Sequence, residues 1–476
     1  MSRLAIALLA AGQSTRMRSR RSKLLHPLAG RPLLLYPLRL AEALRPNILV
    51  VVLGHAAEEV RTLLPSGCPF VLQEPQLGTG HAVQQAQPLL EGHCDELLVL
   101  YGDTPLLRPE TLEGMRRHHE HQGAAVTLLS AILPDPSGYG RVLRDPEGQV
   151  CAILEEADTS PEQRAIREVA SGIFLFRAPW LWKHLPLLSR SPKGEYYLTE
   201  LVALAVGEGE RVATYPAADP EEVLGVNDRV QLAQAERVLR RRIARRWMLD
   251  GVTIVDPEST YIDDTVEIGQ DTVICPNTHL LGATRIGEGC EIGPNSILVD
   301  TVVGNGCRVF ASVLEEAVLE DEVRIGPFGH LRKGAHLARG VRMGNFGEVK
   351  NAYLGPGVKM GHFSYIGDAE IGAETNIGAG TITCNFDTKG RKNRTVIGKR
   401  AYIGSDTMLV APVEVGDGAV TGAGSVVTRS IPPRAVAYGV PARVRRTVDE
   451  DPPTEDAPQE GASIPERPEG LPSEPK

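Results

Sequence analysis

The chain has 476 residues, with 51 Lys plus Arg against 60 Asp plus Glu and a formal net charge of −9. That length is about three domains' worth, and the acidic balance argues against a general nucleic-acid binder or a protein held by charge to anionic membranes. Seven scattered cysteines without a C-x-x-C pair indicate neither a disulfide framework nor a zinc site and suit a reducing cytoplasm.

The N-terminus, "MSRLAIALLAAGQSTRM", imitates a secretory signal. Its apolar run, Leu4 to Ala11, is short and ends in Gly-Gln-Ser-Thr-Arg, so it also reads as a buried first strand entering a loop. No segment approaches the roughly 18 apolar residues of a membrane helix. Through about residue 227, apolar runs such as "ILVVVLG" (48–54), "ELLVLYGDTPLL" (96–107) and "AAVTLLSAIL" (124–133) alternate with helical stretches. This predicts an α/β domain with a largely parallel sheet. Ligands of such sheets lie beyond the carboxyl ends of the strands, where "GQSTRM" and "YGD" fall.

That region collects residues suited to phosphate. Gly12 ends the first strand with backbone N–H groups available, Arg16 and Lys23 add positive charge, and "QEPQLGTGHA" offers Gln73 and a Gly78-Thr79-Gly80 turn. Asp103 is a carboxylate for magnesium at the end of an apolar strand. Singly, each has a bland explanation: a surface lysine, a helix cap, a turn.

Residues 228–250 read as a linking helix. Its arginines, Arg237, Arg240, Arg241, Arg242, Arg245 and Arg246, suit a solvated face or an acidic neighbour better than nucleic acid, since no groove-reading motif accompanies them. From 251 to 446 the period becomes six. Apolar residues recur at Ile268, Ile274, Leu280, Ile286 and Ile292, at Ile325, Leu331, Leu337, Met343 and Val349, and again to Val427, usually followed by Gly. The pattern predicts a parallel β-helix of triangular section with Gly permitting the corner turns, and loops leaving the coil after Asn295 and across 384–396. The remainder, 447–476, is acidic and Pro-rich and is expected to be disordered.

Within the repeat stand His362, Tyr365, Lys350, Asn376 and Asn385. A lone histidine there is more often filler, but stacked coils bring these residues near one another. A neutral imidazole, with an ordinary pKa of about 6.5, suits a base that takes a proton from an amine.

Taken together, these motifs closely resemble the bacterial bifunctional N-acetylglucosamine-1-phosphate uridylyltransferase/glucosamine-1-phosphate N-acetyltransferase family. The resemblance runs from about residue 3 to 446 and includes "GYGRV", "ILEE", "GEYYLTE", "GVNDRVQLA", "NIGAGTITCNFD" and "IGSDTMLVAP". It implies a Rossmann-like nucleotidyltransferase domain (1–227) and a left-handed hexapeptide β-helix in a homotrimer. It also implies acetylation of glucosamine 1-phosphate by acetyl-CoA, then UMP transfer from UTP to N-acetylglucosamine 1-phosphate, in the cytoplasm, for cell-wall precursors.

By the same resemblance Asp103 and Asn227 hold Mg²⁺, and Arg16 and Lys23 stabilise the phosphates. Leu9, Ala10, Gly12, Gln73, Gly78, Thr79, Gly80, Tyr101 and Gly102 surround the nucleotide, and Gly140 and Glu155 the sugar. In the β-helix His362 is the base. Arg332, Lys350, Tyr365, Asn376 and Lys392 bind the sugar phosphate, while Asn385, Ser405, Ala423 and Arg443 line the acetyl-CoA side. No nucleic-acid or membrane partner is implied.

Four positions depart from the family pattern. Ser14 replaces a loop Gly, a change expected to be tolerated if its dihedrals are ordinary, and Ala170 replaces a sugar-contacting Asn. The loop "FDTKGRKNRT" is one residue longer, so Lys392 and Lys389 compete for one role. Arg443 is an imperfect match for the CoA-contacting Arg. A single-activity sugar-1-phosphate nucleotidylyltransferase with a scaffolding or regulatory β-helix is the alternative reading.

Overall fold

The computed structural model describes residues 2–191 and 194–448. Its contacts divide the chain into two compact units: residues 1–250 with 257–266 and 280–282, and the remainder of the repeat region. The tail expected to be disordered lies, from residue 449, outside the described residues. Its first assigned residue, Thr447, ends a strand instead: Arg443–Thr447 runs antiparallel to Ala435–Tyr438.

In the first unit the apolar run at the N-terminus forms the strand Leu4–Ala10, every residue of it buried. Leu4, Ile6, Leu8 and Ala10 pack into one apolar layer and Ala5, Ala7 and Leu9 into the other. Burial on both faces is what a continuous apolar strand in a parallel sheet requires. The sheet runs in the order Phe70–Leu72, Ile48–Leu53, Leu4–Ala10, Glu96–Tyr101, Glu168–Arg177, Val126–Ile132, Val212–Pro216. Only Glu168–Arg177 runs antiparallel to its neighbours on this path. Strand order reverses between Leu4–Ala10 and Glu96–Tyr101, and that switch point leaves a crevice beyond their carboxyl ends.

The helix Arg229–Leu249 is capped by Asp228, whose Oδ1 accepts the Gln231 N–H at 2.8 Å. Its arginines meet acidic neighbours, as expected: Arg240 pairs with Glu236 at 2.8 Å, Arg241 with Glu221 at 3.3 Å, Arg242 with Asp219 at 3.1 Å and Arg246 with Asp264 at 3.4 Å. No helix of the described residues is long and apolar enough to cross a membrane.

The second unit stacks parallel coils in direct register. One inward ladder runs Ile286, Val303, Leu319, Leu337, Leu354, Ile371, Ile397 and Val415, and all of these are buried. Dispersion and burial of aliphatic rungs, repeated coil on coil, stabilise this architecture.

Two expectations are corrected. No loop leaves the coil after Asn295: Ile297–Val299 continues the sheet against Val313–Glu315, and the six-residue beat slips because the coils there are shorter. The excursion at 384–396 is real, closing through a Phe386–Lys392 bridge and a 2.7 Å bond from Asn393 N–H to the Asn385 carbonyl. The glycines after the rungs serve turning only in part: Gly293 (φ 96°) and Gly326 (φ 108°) are left-handed, whereas others are not. Gly287 does not adopt positive φ, but a Cβ on it would sit 2.8 Å from the Gly304 carbonyl carbon in the next coil. Close approach demands glycine at 287, while left-handed corners are taken by other glycines and by residues such as Asn277 (φ 55°) and Asn295 (φ 56°).

Candidate active sites

At the switch point of the first unit, Leu9 pairs with Tyr101, and the loops beyond wall a cleft of about 550 Å³. Leu9, Ala10, Gly12, Arg16, Lys23, Gln73, Gly78, Thr79, Tyr101, Asp103 and Asn227 all line it. Lys23 is the hub. Its ammonium pairs with Asp103 and donates to Asn227 Oδ1 at 3.1 Å, an oxygen that also accepts from Arg16 Nη2 at 2.9 Å.

Helix capping holds this arrangement. The Asn227 N–H donates to Gln231 Oε1 at 2.8 Å, and the Val226 N–H donates to the Asp103 carbonyl at 2.8 Å. The start of the helix is thereby tied to the end of the strand that carries Asp103. A carboxylate and an amide oxygen thus converge on one cation. No cluster of three His, Cys, Asp or Glu side chains able to hold a metal occurs among the described residues. A divalent ion here would take two protein oxygens and complete its shell from phosphate and water, the habit of Mg²⁺.

The structure does not bring Gly80, Gly102, Gly140 or Glu155 to that wall. Gly80 donates its N–H to the Tyr196 carbonyl at 2.8 Å, and a Cβ there would meet Leu188 Cδ1 at 2.5 Å. Gly102 donates to the Leu9 carbonyl at 2.9 Å and abuts Leu34. Both are packing glycines that shape the cleft from behind. Gly140 pairs with Ala170, and a Cβ on Gly140 would lie 3.9 Å from Glu155 Oε2, so these three positions share one neighbourhood, where Glu155 also accepts the Thr199 hydroxyl at 3.0 Å. Ala170 is buried and presents no polar group there.

Ser14 is a further correction. It sits at φ 61°, ψ 22°, in the left-handed region rather than at ordinary dihedrals. Gln76 and Glu195 also line the cleft. Gln76 was missed because nothing in its spacing marks it, and Glu195 was visible only as part of "GEYYLTE".

In the second unit, the rungs Met360, Ile377, Ile403 and Thr421 are in register. His362, Ser405 and Ala423 each stand two residues past such a rung and therefore share one corner of the prism. His362, Asn376 and Ser405 line a single cleft of about 770 Å³ with Arg324, Arg342 and Lys359. Sequence reasoning missed those three cations because each looks like an ordinary outward residue of the repeat.

Lys350 and Tyr365 belong to the other sheet, past that corner, and Arg332 and Asn385 each directly follow one of its strands. Arg332 pairs with Glu348 at 2.9 Å, Lys350 is in register with Gly367, and Tyr365 with Glu348. A Cβ on Gly367 would strike the Tyr365 hydroxyl at 2.3 Å, so that glycine makes room for the ring. Asn385 donates to Asp368 Oδ2 at 2.5 Å, and Asp368 Oδ1 accepts from Asn351 at 2.6 Å. Lys392 lines a groove with Asn351 and Asp368, whereas the Lys389 N–H caps Asp387 within the loop. Arg443 is exposed, its guanidinium on the Ala442 carbonyl at 3.0 Å.

Comparison with known proteins agrees with this division. A MobA-like NTP transferase domain model matches residues 6–155, and a bacterial transferase hexapeptide (six repeats) model matches 265–299 and 394–429. Proteins called bifunctional protein GlmU are similar nearly end to end. The one from Trichlorobacter lovleyi is 47% identical over 93% of this chain and 97% of its own, and the one from Alkalilimnicola ehrlichii 50% over 91% and 93%. The chain belongs to the GlmU family. As a GlmU-family enzyme it is bifunctional, with a uridylyltransferase N-terminal unit and a hexapeptide acetyltransferase C-terminal unit, the latter a left-handed β-helix. Both GlmU activities act on small molecules of cell-wall synthesis.

Proposed function

We propose that the second unit transfers the acetyl group of acetyl-CoA to glucosamine 1-phosphate with His362 as base. The first unit then joins the product to UMP from UTP with Mg²⁺ between Asp103 and Asn227. The observation that carries the reading is the meeting of each set in a cleft of its own: Lys23, Asp103 and Asn227 in one, His362, Asn376 and Ser405 in the other.

In acetyl transfer, the His362 imidazole accepts a proton as the sugar amine attacks the thioester carbonyl carbon. A C–N bond forms, the C–S bond breaks, and the CoA thiolate leaves and takes up a proton. Arg332, Lys350 and Lys392 hold the sugar phosphate, Tyr365 and Asn376 the sugar, and Asn385, Ser405, Ala423 and Arg443 the acetyl-CoA. In uridylyl transfer, a phosphate oxygen of the sugar attacks the α-phosphorus of UTP and pyrophosphate leaves. Arg16 and Lys23 offset the charge that otherwise keeps the phosphates apart. Mg²⁺ supplies further neutralisation and alignment of the triphosphate when bound.

We infer a homotrimer, in the cytoplasm. The acetyl-transfer residues divide between two faces flanking the His362 corner, so a neighbouring copy is needed to enclose a substrate. The same corner exposes Phe328, Phe346 and Phe363, with Phe328 stacked on Phe346 at 5.1 Å. An exposed aromatic column of this kind marks an interface.

The test is thiol release from acetyl-CoA in the presence of glucosamine 1-phosphate. His362→Ala should lower it by roughly 10²–10⁴-fold, with oligomeric state and UMP transfer unchanged. An inactive wild type given ample acetyl-CoA would make the β-helix a scaffold.

A further inference from the structure

His81 is the third residue of the helix Thr79–Leu90, with Gln85 one turn further along the same face. It is part-buried and does not belong to the wall of the cleft that holds Asp103, whereas Gln73 does. Its contact is with Gln73 itself. Gln73 Nε2 donates to the Gly78 carbonyl at 2.8 Å and lies 3.2 Å from His81 Nδ1, and His81 Nε2 lies 3.0 Å from the side-chain amide of Gln85.

Hydrogen-bond chemistry leaves one arrangement of this chain. A carbonyl can only accept, so the Gly78 oxygen draws the nitrogen end of the Gln73 amide toward itself. The same NH2 group then faces His81, whose Nδ1 is therefore the bare, accepting nitrogen, with the proton on Nε2. Gln85 turns its amide oxygen to that proton. The imidazole stays neutral, as this requires, because burial lowers its pKa below the ordinary 6.5.

Both N–H bonds of Gln73 are thereby spent. Its Oε1 accepts from no described residue and is not among the oxygens sealed inside the protein. In a side chain only 3% exposed, that oxygen is what opens onto the cleft. An acceptor there reads an N–H on a base. Uracil offers one at N3, whereas cytosine has a lone pair at N3, which the oxygen repels. Turning the amide over would reverse the preference, but at the loss of both bonds and with the oxygen set against the Gly78 carbonyl and the His81 lone pair.

We propose, on the reading that the nucleotide base lies against Gln73, that His81 is a positioning residue for uridylyl transfer: its Nδ1 locks the Gln73 amide with the oxygen toward the cleft and so selects UTP over CTP.

The experiment measures kcat and KM for pyrophosphate release with N-acetylglucosamine 1-phosphate and UTP, dTTP or CTP. It compares wild type, Gln73→Ala, His81→Ala and His81→Asn, each variant matched to wild type in thermal melting. Asn places an oxygen near the position of Nδ1 and restores the acceptor. His81→Ala should raise KM for UTP with kcat little changed, and should lower the UTP:CTP ratio of kcat/KM by about 3- to 10-fold, the worth of one hydrogen bond. The UTP:dTTP ratio should stay within about twofold, since both bases carry N3–H, and His81→Asn should recover most of the UTP:CTP ratio. An equal fall for all three nucleotides in His81→Ala, or no recovery in His81→Asn, reduces His81 to a structural role and overturns the proposal. A UTP:CTP ratio lost in Gln73→Ala but kept in His81→Ala overturns the proposal alone. A ratio kept in Gln73→Ala as well places the base elsewhere and overturns the reading beneath it.

Discussion

Lys23 and Asp103, far apart in sequence, form an ion pair beyond two neighbouring strand ends, and the Asn227 side-chain oxygen joins them at 3.1 Å from the lysine ammonium. Removing the carboxylate charge leaves Lys23 without its anion and a divalent ion with two neutral amide oxygens. Asp103→Asn should therefore lower UMP transfer by about 10²-fold or more, measured as pyrophosphate release, while thiol release is unaffected. Loss of both activities in a folded variant would contradict two independent sites.

Asp368 holds Asn385 and Asn351 through its two carboxylate oxygens. We expect Asp368→Ala to let Asn385 swing away from the acetyl-transfer site and to lower kcat for thiol release by roughly tenfold. A rise in KM alone, with kcat intact, would show that Asn385 needs no such support.

Two neighbouring glycines should behave differently. A Cβ on Gly378 would lie 2.6 Å from both the Ile403 carbonyl oxygen and Ser405 N, whereas one on Gly361 meets nothing within 4 Å. Gly378→Ala should therefore push the Ser405 coil outward, lowering the calorimetric melting temperature of the β-helix and its acetyl transfer. Gly361→Ala should melt like the wild type. Equal effects would mean that coil spacing adjusts freely.

Ser14 holds a left-handed conformation at φ 61°, which costs a residue with a Cβ about 1 kcal/mol. Ser14→Gly should raise the stability of the first unit by up to about 1 kcal/mol. Urea unfolding followed by tryptophan fluorescence reads this unit alone, because Trp180, Trp182 and Trp247 all lie in it. A lower midpoint would show that the Ser14 hydroxyl contributes more than the strain removes.

His119 is buried, with Nδ1 2.7 Å from the Thr127 hydroxyl. Burial, with a smaller push from Arg177, lowers its pKa from 6.5 to about 4. Between those values the unfolded chain binds a proton that the folded chain refuses. Its contribution is thus complete above pH 6.5 and is lost as pH falls toward 4, by up to about 3 kcal/mol. His119→Gln should flatten the acid limb of the first unit's stability profile, and an unchanged limb would assign the effect elsewhere.

Local pattern determined the element types. A short apolar run such as Leu4–Ala10, ending in a Gly-Gln-Ser-Thr-Arg loop, fits a two-face-buried strand, and a six-residue beat fits stacked coils, because side-chain period dictates which face each residue presents. The residue types at the clefts were legible for the same reason: a glycine, two cations and a carboxylate at strand ends imply phosphate before any coordinates exist. Tertiary structure decided what depends on neighbours distant in sequence. It placed Asn227 on Lys23 through a helix cap and turned Gly80 and Gly102 into packing residues. It gave Ser14 a strained backbone and shortened the coils after Asn295 where a loop was expected. It also aligned Arg324, Arg342 and Lys359 into one column. Each of these depends on the register between coils and strands, which packing sets through contacts that no single stretch of sequence contains.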